Sequence, residues 1–403
     1  MVYLYYLLSL TLLATFTYLC FTSFYLFAIA VAGLLRKRKS QMAHERKKRI
    51  AILVPSYKED AIIVDTVRNL NLQGYPENSF DIFVIADSLK ANTLMNLAGE
   101  RCQVLRVSFP VSTKARALHT ALNRINTGEY DIALILDADN HLSPGCLEKI
   151  NAAFYAGARA AQCHRIAKNE NTPLALLDAI NEEINNGLLR KGQWALGFSA
   201  TASGSGMAFE FAVLKEIFNI PHILRINGED KEIDIQLMKR GIKMQYLEEA
   251  LVLDEKVASF HAFRKQRLRW VEAYLNYIFR LFYKDLRAAF VKAEFWNRFF
   301  QLSLLPRSLY VIILFGSGLI FTLGHIHDFP FYHPSPWTWL PVAVLYFITL
   351  LICLPAAYAN WRTLRSLSIL PTVLFAMMVT VTKVKPGRKE FIHTPKSFTE
   401  TKF

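Results

Sequence analysis

The first 35 residues, Met1 to Leu35, contain no charged side chain. Such a run exceeds the ~20 residues needed to cross a bilayer, so the chain has to be organised around a lipid boundary. A signal peptide would show an apolar core of ~7–15 residues, a basic start and a small-residue cleavage site. The run has none of these and is read as a retained transmembrane helix. Arg36, Lys37, Arg38 and Lys39 follow it directly, then Arg46, Lys47, Lys48 and Arg49. Positive charge beside a span favours the cytoplasmic side. The N-terminus is therefore expected outside and the following domain in the cytoplasm.

The chain has 47 basic and 33 acidic residues, a formal charge of +14. This excess is compatible with nucleic acid, anionic lipid or phosphorylated substrates. Its concentration against an apolar span, with no second basic stripe near stacking aromatics, points to lipid headgroups and away from nucleic acid. The five cysteines, Cys20, Cys102, Cys146, Cys163 and Cys353, form no C-x-x-C pair. A disulfide framework and a thiolate zinc site are therefore excluded.

Composition and charge divide the chain into a transmembrane helix over 1–35, a basic segment over 36–49 and a cytoplasmic domain over 50–260. Then come a segment with interfacial helices over 261–307, an apolar region over 308–382 and a basic tail over 383–403. Within the apolar region, 308–324 and 336–360 are expected to span. The shorter run 366–382 is expected to lie at the interface or re-enter, because a third crossing would put Lys383, Lys385, Arg388 and Lys389 outside. In 271–294, apolar residues from Val271 to Phe290 recur every three or four positions, interleaved with Arg280, Lys284, Arg287 and Lys292. That pattern predicts an amphipathic helix on the membrane surface.

In the soluble part, IAILVP (50–55), DIFVIAD (81–87), CQVLRVS (102–108) and DIALILD (131–137) read as buried strands. Helical patterns at 58–73, 92–99 and 113–126 alternate with them. This order predicts an α/β domain with a mostly parallel, Rossmann-like sheet covered by helices. Ligands of such sheets bind beyond the carboxyl ends of the strands, which here gather Tyr57, Asp87 and Asp137. There is no G-x-x-x-x-G-K-[ST] loop, and Gly204-Ser205-Gly206 is not a dinucleotide fingerprint. It is read as a tight loop near a ligand.

Asp137-Ala138-Asp139 places two carboxylates at the end of an apolar strand. Burying two like charges together is costly unless a cation or a partner neutralises them, and a hard divalent ion sharing substrate phosphates would do so. Solvated aspartates at a strand-end turn are the plainer reading. Gly228-Glu229-Asp230 opens a helix that stops at Gly241; acids there also complement the helix dipole. Gln266-Arg267-Leu268-Arg269-Trp270 precedes the interfacial helix, where basic residues would otherwise face headgroups.

Taken in order, Pro55-Ser56-Tyr57-Lys58-Glu59, Asp87, Lys114-Ala115, D-x-D, E-D and Q-x-x-R-W resemble membrane-bound family 2 glycosyltransferases. The set is most similar to the processive branch of cellulose, chitin and hyaluronan synthases. The likeness covers about residues 48–275 and implies a GT-A type cytoplasmic domain that transfers sugar with inversion. It implies that Pro55, Tyr57, Glu59 and Asp87 hold the nucleotide and Lys114 the diphosphate. By the same likeness Asp137 and Asp139 bind nucleotide and Mg2+ or Mn2+, with Asp139 the direct ligand. Asp230 is then the general base, and Gln266, Arg269 and Trp270 line the acceptor end and the diphosphate. Phe391-Ile392-His393-Thr394-Pro395-Lys396 resembles a gating element.

Three departures from the pattern are Ser88 after Asp87, Gly228 before Glu229, and Val271-Glu272-Ala273 after Trp270. The expected partners are a UDP-sugar, a glycan or lipid acceptor and membrane lipid, with no nucleic acid. The expected location is a bacterial inner membrane with the domain in the cytoplasm.

Overall fold

The computed structural model describes residues 2–36, 44–225, 228–280, 293–330 and 332–384. The 391–396 element and most of the second half of the 271–294 pattern lie outside them.

The soluble domain is built on one mixed, mostly parallel sheet. Its strands are β1 (Ile50–Tyr57), β2 (Phe80–Asp87), β3 (Gln103–Val107), β4 (Ile132–Ile135), β5 (His141–Leu142), β6 (Ala160–Ala167), β7 (Met207–Glu210) and β8 (Met244–Asp254), in the order β3-β2-β1-β4-β7-β6-β8-β5. The first four strands pair in parallel, as their unbroken apolar runs predict, and β6 pairs with β8 in parallel. β7 runs antiparallel between β4 and β6, a reversal that no alternation in the sequence announces.

Successive side chains of a strand point to opposite faces, and here both faces are dry. Ala51 and Leu53 pack with Leu118, Leu122 and Leu214 on one side. Ile50, Ile52 and Val54 pack with Ile63, Val67 and Ile150 on the other. Truncating one of these leucines or isoleucines to alanine would cost ~2–5 kcal/mol. β1 and β2 end in register, Tyr57 opposite Asp87, so both residues lie at one edge of the sheet.

Three helices are long and apolar enough to cross a membrane: Val2–Leu35, Arg307–Ile326 and the run Trp361–Thr382. The apolar helix expected over 336–360 is shorter, Pro336–Ile352. Leu19, Leu26, Tyr310, Leu314, Val342 and Tyr346 form the core that binds the first helix to the C-terminal ones. The first helix also meets the soluble domain closely. A Cβ on Gly192 would lie 2.4 Å from the carbonyl oxygen of Ile29, and one on Gly33 would lie 3.2 Å from the Gly192 Cα. Only glycine permits that crossing.

Helix Phe260–Arg280 runs unbroken through the Q-x-x-R-W residues, so that motif and the first part of the 271–294 pattern share one helix. A separate helix, Ala293–Ser303, follows the undescribed stretch. Its Arg298 is buried and donates to Thr201 Oγ1, while Asn297 accepts from the Tyr25 hydroxyl at 2.7 Å.

Candidate active site

The carboxyl edge of β1, β2 and β4 faces the start of helix Glu229–Lys239 and one side of helix Phe260–Arg280. Lys114 opens the helix Lys114–Arg124, whose first turn is fixed by Thr113 accepting from the Arg116 amide at 3.2 Å. The Lys114 ammonium reaches Asp137 Oδ1 at 2.5 Å, the Gly204 carbonyl at 2.5 Å and Glu229 Oε1 at 3.7 Å. Segments more than a hundred residues apart are thus joined at one cation. Burial would lower the Lys114 pKa, but Asp137 and Glu229 outweigh it and raise the pKa. Burial pushes the Glu229 carboxyl up, partly offset by Lys114.

Gly204 and Gly206 take positive φ of 86° and 64°, a region that L residues enter at a cost. That backbone turns the Gly204 carbonyl toward Lys114 and leaves the Ser205 hydroxyl to accept from the Asp137 amide at 2.9 Å. The tight loop expected at 204–206 is present, and it lies against Lys114. Gly228 adopts φ +97° before Glu229, which accounts for glycine at that position. Asp230 lies in the first turn, partly exposed, with Lys231 Nζ 3.3 Å away.

Arg269 is mostly buried, and burial lowers its pKa; Asp137, Glu229, Asp139 and Glu59 oppose that shift. The Q-x-x-R-W arginine therefore shares a field with the D-x-D, the E-D and the loop after β1. Gln266 is buried, and its Oε1 has no hydrogen-bond partner among the described residues. Trp270 is 41% exposed, with the Arg267 guanidinium 4.3 Å from its ring centre. One ring face is therefore occupied by a cation, and only the other is open to stack. Arg267 also pairs with the buried Asp178, so it turns inward and not toward headgroups.

The residues expected to hold the nucleotide take the places that the strand ends dictate. Pro55 pairs with Ile85 inside the sheet. Lys58, at φ +57°, donates its amide to the Asp87 carbonyl at 3.1 Å and sets its ammonium 5.1 Å from the Tyr57 ring centre. Ser88, at φ +58°, donates to Asp87 Oδ1 at 3.0 Å. It ties down the buried aspartate, which gives this departure from the pattern a local role.

A supporting layer is missing from the motif reading. Asn140, next to Asp139, donates to Asp254 Oδ1 at 3.2 Å and accepts from Ser205. Asp254 pairs with Arg165 at 2.7 Å and Lys256 at 2.8 Å. Asp60 accepts from the Lys90 amide at 2.8 Å and from Thr93 at 2.6 Å, bracing the loop after β1. The charge-dense run Asp254-Glu255-Lys256 was the available signal, but a charge run ordinarily reads as a solvated face.

Among the described residues, no three or more His, Cys, Asp and Glu side chains form a metal cage. The Asp137/Asp139 donor set fits an ion of another kind: a hard divalent cation held by one or two carboxylates and completed by substrate phosphates.

The Glycosyltransferase like family 2 profile matches residues 48–273, more than half of the 403-residue chain. The chain belongs to this family. The probable glycosyltransferase YdaM of Bacillus subtilis (strain 168) is 20% identical over 234 residues, 55% of this chain and 54% of that protein. The match thus spans about half of that relative's length. An N-acetylglucosaminyltransferase of Mesorhizobium japonicum (strain LMG 29417 / CECT 9101 / MAFF 303099) is 22% identical over 313 residues, 72% of this chain and 68% of that protein. Among solved structures, the mannosyltransferase PcManGT from Pyrobaculum calidifontis, in complex with GDP-Man and Mn2+, superposes with a TM-score of 0.53 at 15% identity. The superposition covers 92% of this chain and 97% of that one, and it shows the GT-A-like fold.

Proposed function

We propose that the protein is a membrane-embedded, inverting glycosyltransferase that moves a sugar from a nucleoside diphosphate, a UDP-sugar, onto a growing β-linked glycan at the cytoplasmic face. The observation that carries this reading is the convergence of Lys114, Asp137, Glu229-Asp230 and Arg269 from four separate segments. A scaffold or a passive binding module has no use for a carboxylate cluster faced by two partly buried cations.

Tyr57 at the end of β1, Glu59 in the loop after it and Asp87 at the end of β2 bind base and ribose. Asp137 and Asp139 would hold Mg2+ or Mn2+ against the diphosphate, and that ion would stabilise charge on the leaving group. Lys114 and Arg269 add fixed positive charge at the same place. Asp230 takes the proton of the acceptor hydroxyl as that oxygen attacks the anomeric carbon opposite the leaving phosphate. A single displacement inverts the centre, with no need for a carboxylate nucleophile.

A lipid-linked acceptor is the second reading. Its support is that Phe263 and Val271, on the helix bearing Gln266 and Arg269, pack with Met377 of the apolar helix Leu370–Thr382. Purified protein in lipid, given UDP-glucose, UDP-N-acetylglucosamine, UDP-glucuronate or UDP-galactose with Mn2+ or Mg2+, separates these readings. EDTA-sensitive UDP release with a product ladder is expected. A single glycolipid band would select the lipid acceptor, and UDP binding without turnover would overturn the enzyme reading.

A further inference from the structure

Trp361–Thr382 is long and apolar enough to cross a bilayer, yet the surrounding contacts hold it alongside the soluble domain. At its start, Arg362 donates to the Glu170 carbonyl, and the Tyr358 hydroxyl just before it reaches Glu170 Oε1 at 2.8 Å. Glu170 lies in the loop after β6. Near the other end, Met377 is buried against Leu174, Val257 and Phe263. Val257 is only a few residues beyond β8. A helix rises ~1.5 Å per residue, so a crossing helix that left the domain at Arg362 would carry Met377 ~22 Å away, past the bilayer centre. Instead both ends touch the same domain.

Charge agrees with this placement. The connection 327–335 between helices Arg307–Ile326 and Pro336–Ile352 holds no Lys or Arg. Arg36, Arg307 and Arg362 all stand at the domain ends of their helices, with Arg307 donating to the Asn181 carbonyl at 3.0 Å. Lys383, Lys385, Arg388 and Lys389 follow Thr382. A third crossing from the domain side would leave that cluster on the face with no basic residue, whereas an in-plane helix keeps it with the others.

The outer side of the run is apolar and open: Leu364, Leu367, Phe375 and Met378 are 56%, 43%, 63% and 41% exposed. Helix Leu370–Thr382 adjoins helix Arg307–Ile326 as well as Phe260–Arg280. Its open face is thus continuous with the lipid-facing surface of a span.

We infer that Trp361–Thr382 does not cross but lies in the plane of the membrane surface on the domain side, seated on the helix that carries Gln266 and Arg269. The partner of its outer face is the bilayer. Val2–Leu35, Arg307–Ile326 and Pro336–Ile352 are then the crossing helices, and the C-terminus shares a side with the candidate active site. This inference rests on the membrane reading above but not on the transfer reaction.

The test uses nitroxide labels on Leu364→Cys and Met378→Cys of the full chain in liposomes, with oxygen and Ni(II)-chelate relaxation reporting depth. An in-plane helix gives both labels the same shallow depth. A crossing helix separates them by ~20 Å and would overturn the inference. As a measurement that needs no change to the packed helix, Lys383→Cys is probed with an impermeant maleimide in vesicles of either orientation. Labelling is expected from the side that exposes the soluble domain, and labelling from the other side would overturn the assignment. Release of the whole protein by alkaline carbonate would overturn both the inference and the membrane reading, and so separates the two failures.

Discussion

Two clusters of charge are linked at the C-terminal half of the sheet, one partly open and one buried, and they differ in balance. At the candidate site, Lys114 and Arg269 face Asp137, Asp139, Glu229 and Asp230. Behind it, Arg165, Lys256 and Arg190 interleave with Asp254 and Glu182 at 2.7–3.7 Å. The rear set, three cations to two carboxylates, is closer to neutral. It pulls the Glu182 carboxyl down to about 2: burial alone would raise it, but Lys256, Arg165 and Arg190 outweigh the burial. The front set has more carboxylates than cations, and burial leaves the Glu229 carboxyl raised. A balanced cluster meets its own charge, whereas the carboxylate excess at the front is what a divalent ion and a diphosphate would meet in the proposed reaction. Asp254 joins the two through Asn140.

The largest expected effect belongs to the front. Asp230→Asn should lower turnover by ~10²–10⁴-fold while nucleotide binding and the thermal midpoint stay unchanged; a large drop in the midpoint would refute a purely chemical role. At the rear, Glu182→Gln leaves buried cations under-compensated and should cost ~3–5 kcal/mol, read as a lower unfolding midpoint in detergent. Asp254→Asn tests the joint. It should weaken Mn2+-dependent nucleotide binding by ~10–100-fold, as loss of outer-shell support does, and lower stability as well. If only one of the two quantities moves, the clusters are independent.

The smallest effect is the pH dependence. Glu182 has a lower pKa folded than unfolded, so its stabilisation is present above ~4.3 and fades as the pH falls toward about 2. Glu229 is shifted the other way, so its relative stabilisation is present at low pH and fades as the pH rises through its folded pKa. Glu182→Gln should therefore flatten the acid limb of a pH–stability curve. Glu229→Gln should leave that limb steep and hold or raise the midpoint at neutral pH.

Much of the front cluster was legible in the sequence because strand ends and helix starts are local features. The apolar run before Asp137 and the Gly before Glu229 place those carboxylates with little help from elsewhere. The rear cluster was not legible. Arg165, Glu182, Asp254 and Lys256 look like surface residues until the parallel pairing of β6 with β8 brings Arg165 opposite Val252, two residues before Asp254. The antiparallel β7 was hidden for a similar reason: Met207–Glu210 is a short apolar segment with nothing to mark its direction. Trp270 was expected to line the acceptor end; that the Arg267 guanidinium covers one face of its ring depends on a rotamer, which spacing along the chain does not fix. The shorter second apolar helix reflects Pro355, which cannot continue a helix.

The side-chain-free crossing of Gly33 and Gly192 has a mechanical consequence. Helix Val2–Leu35 is 34 residues long, a rod of ~51 Å for a hydrocarbon layer of ~30 Å. In a bilayer such a rod must lean or protrude. With no flexible side chain to act as a cushion at the crossing, any lean passes directly into the catalytic domain. With the helix embedded as proposed, a thinner bilayer would tilt the rod further, and the tight crossing would carry that tilt to the domain around Gly192.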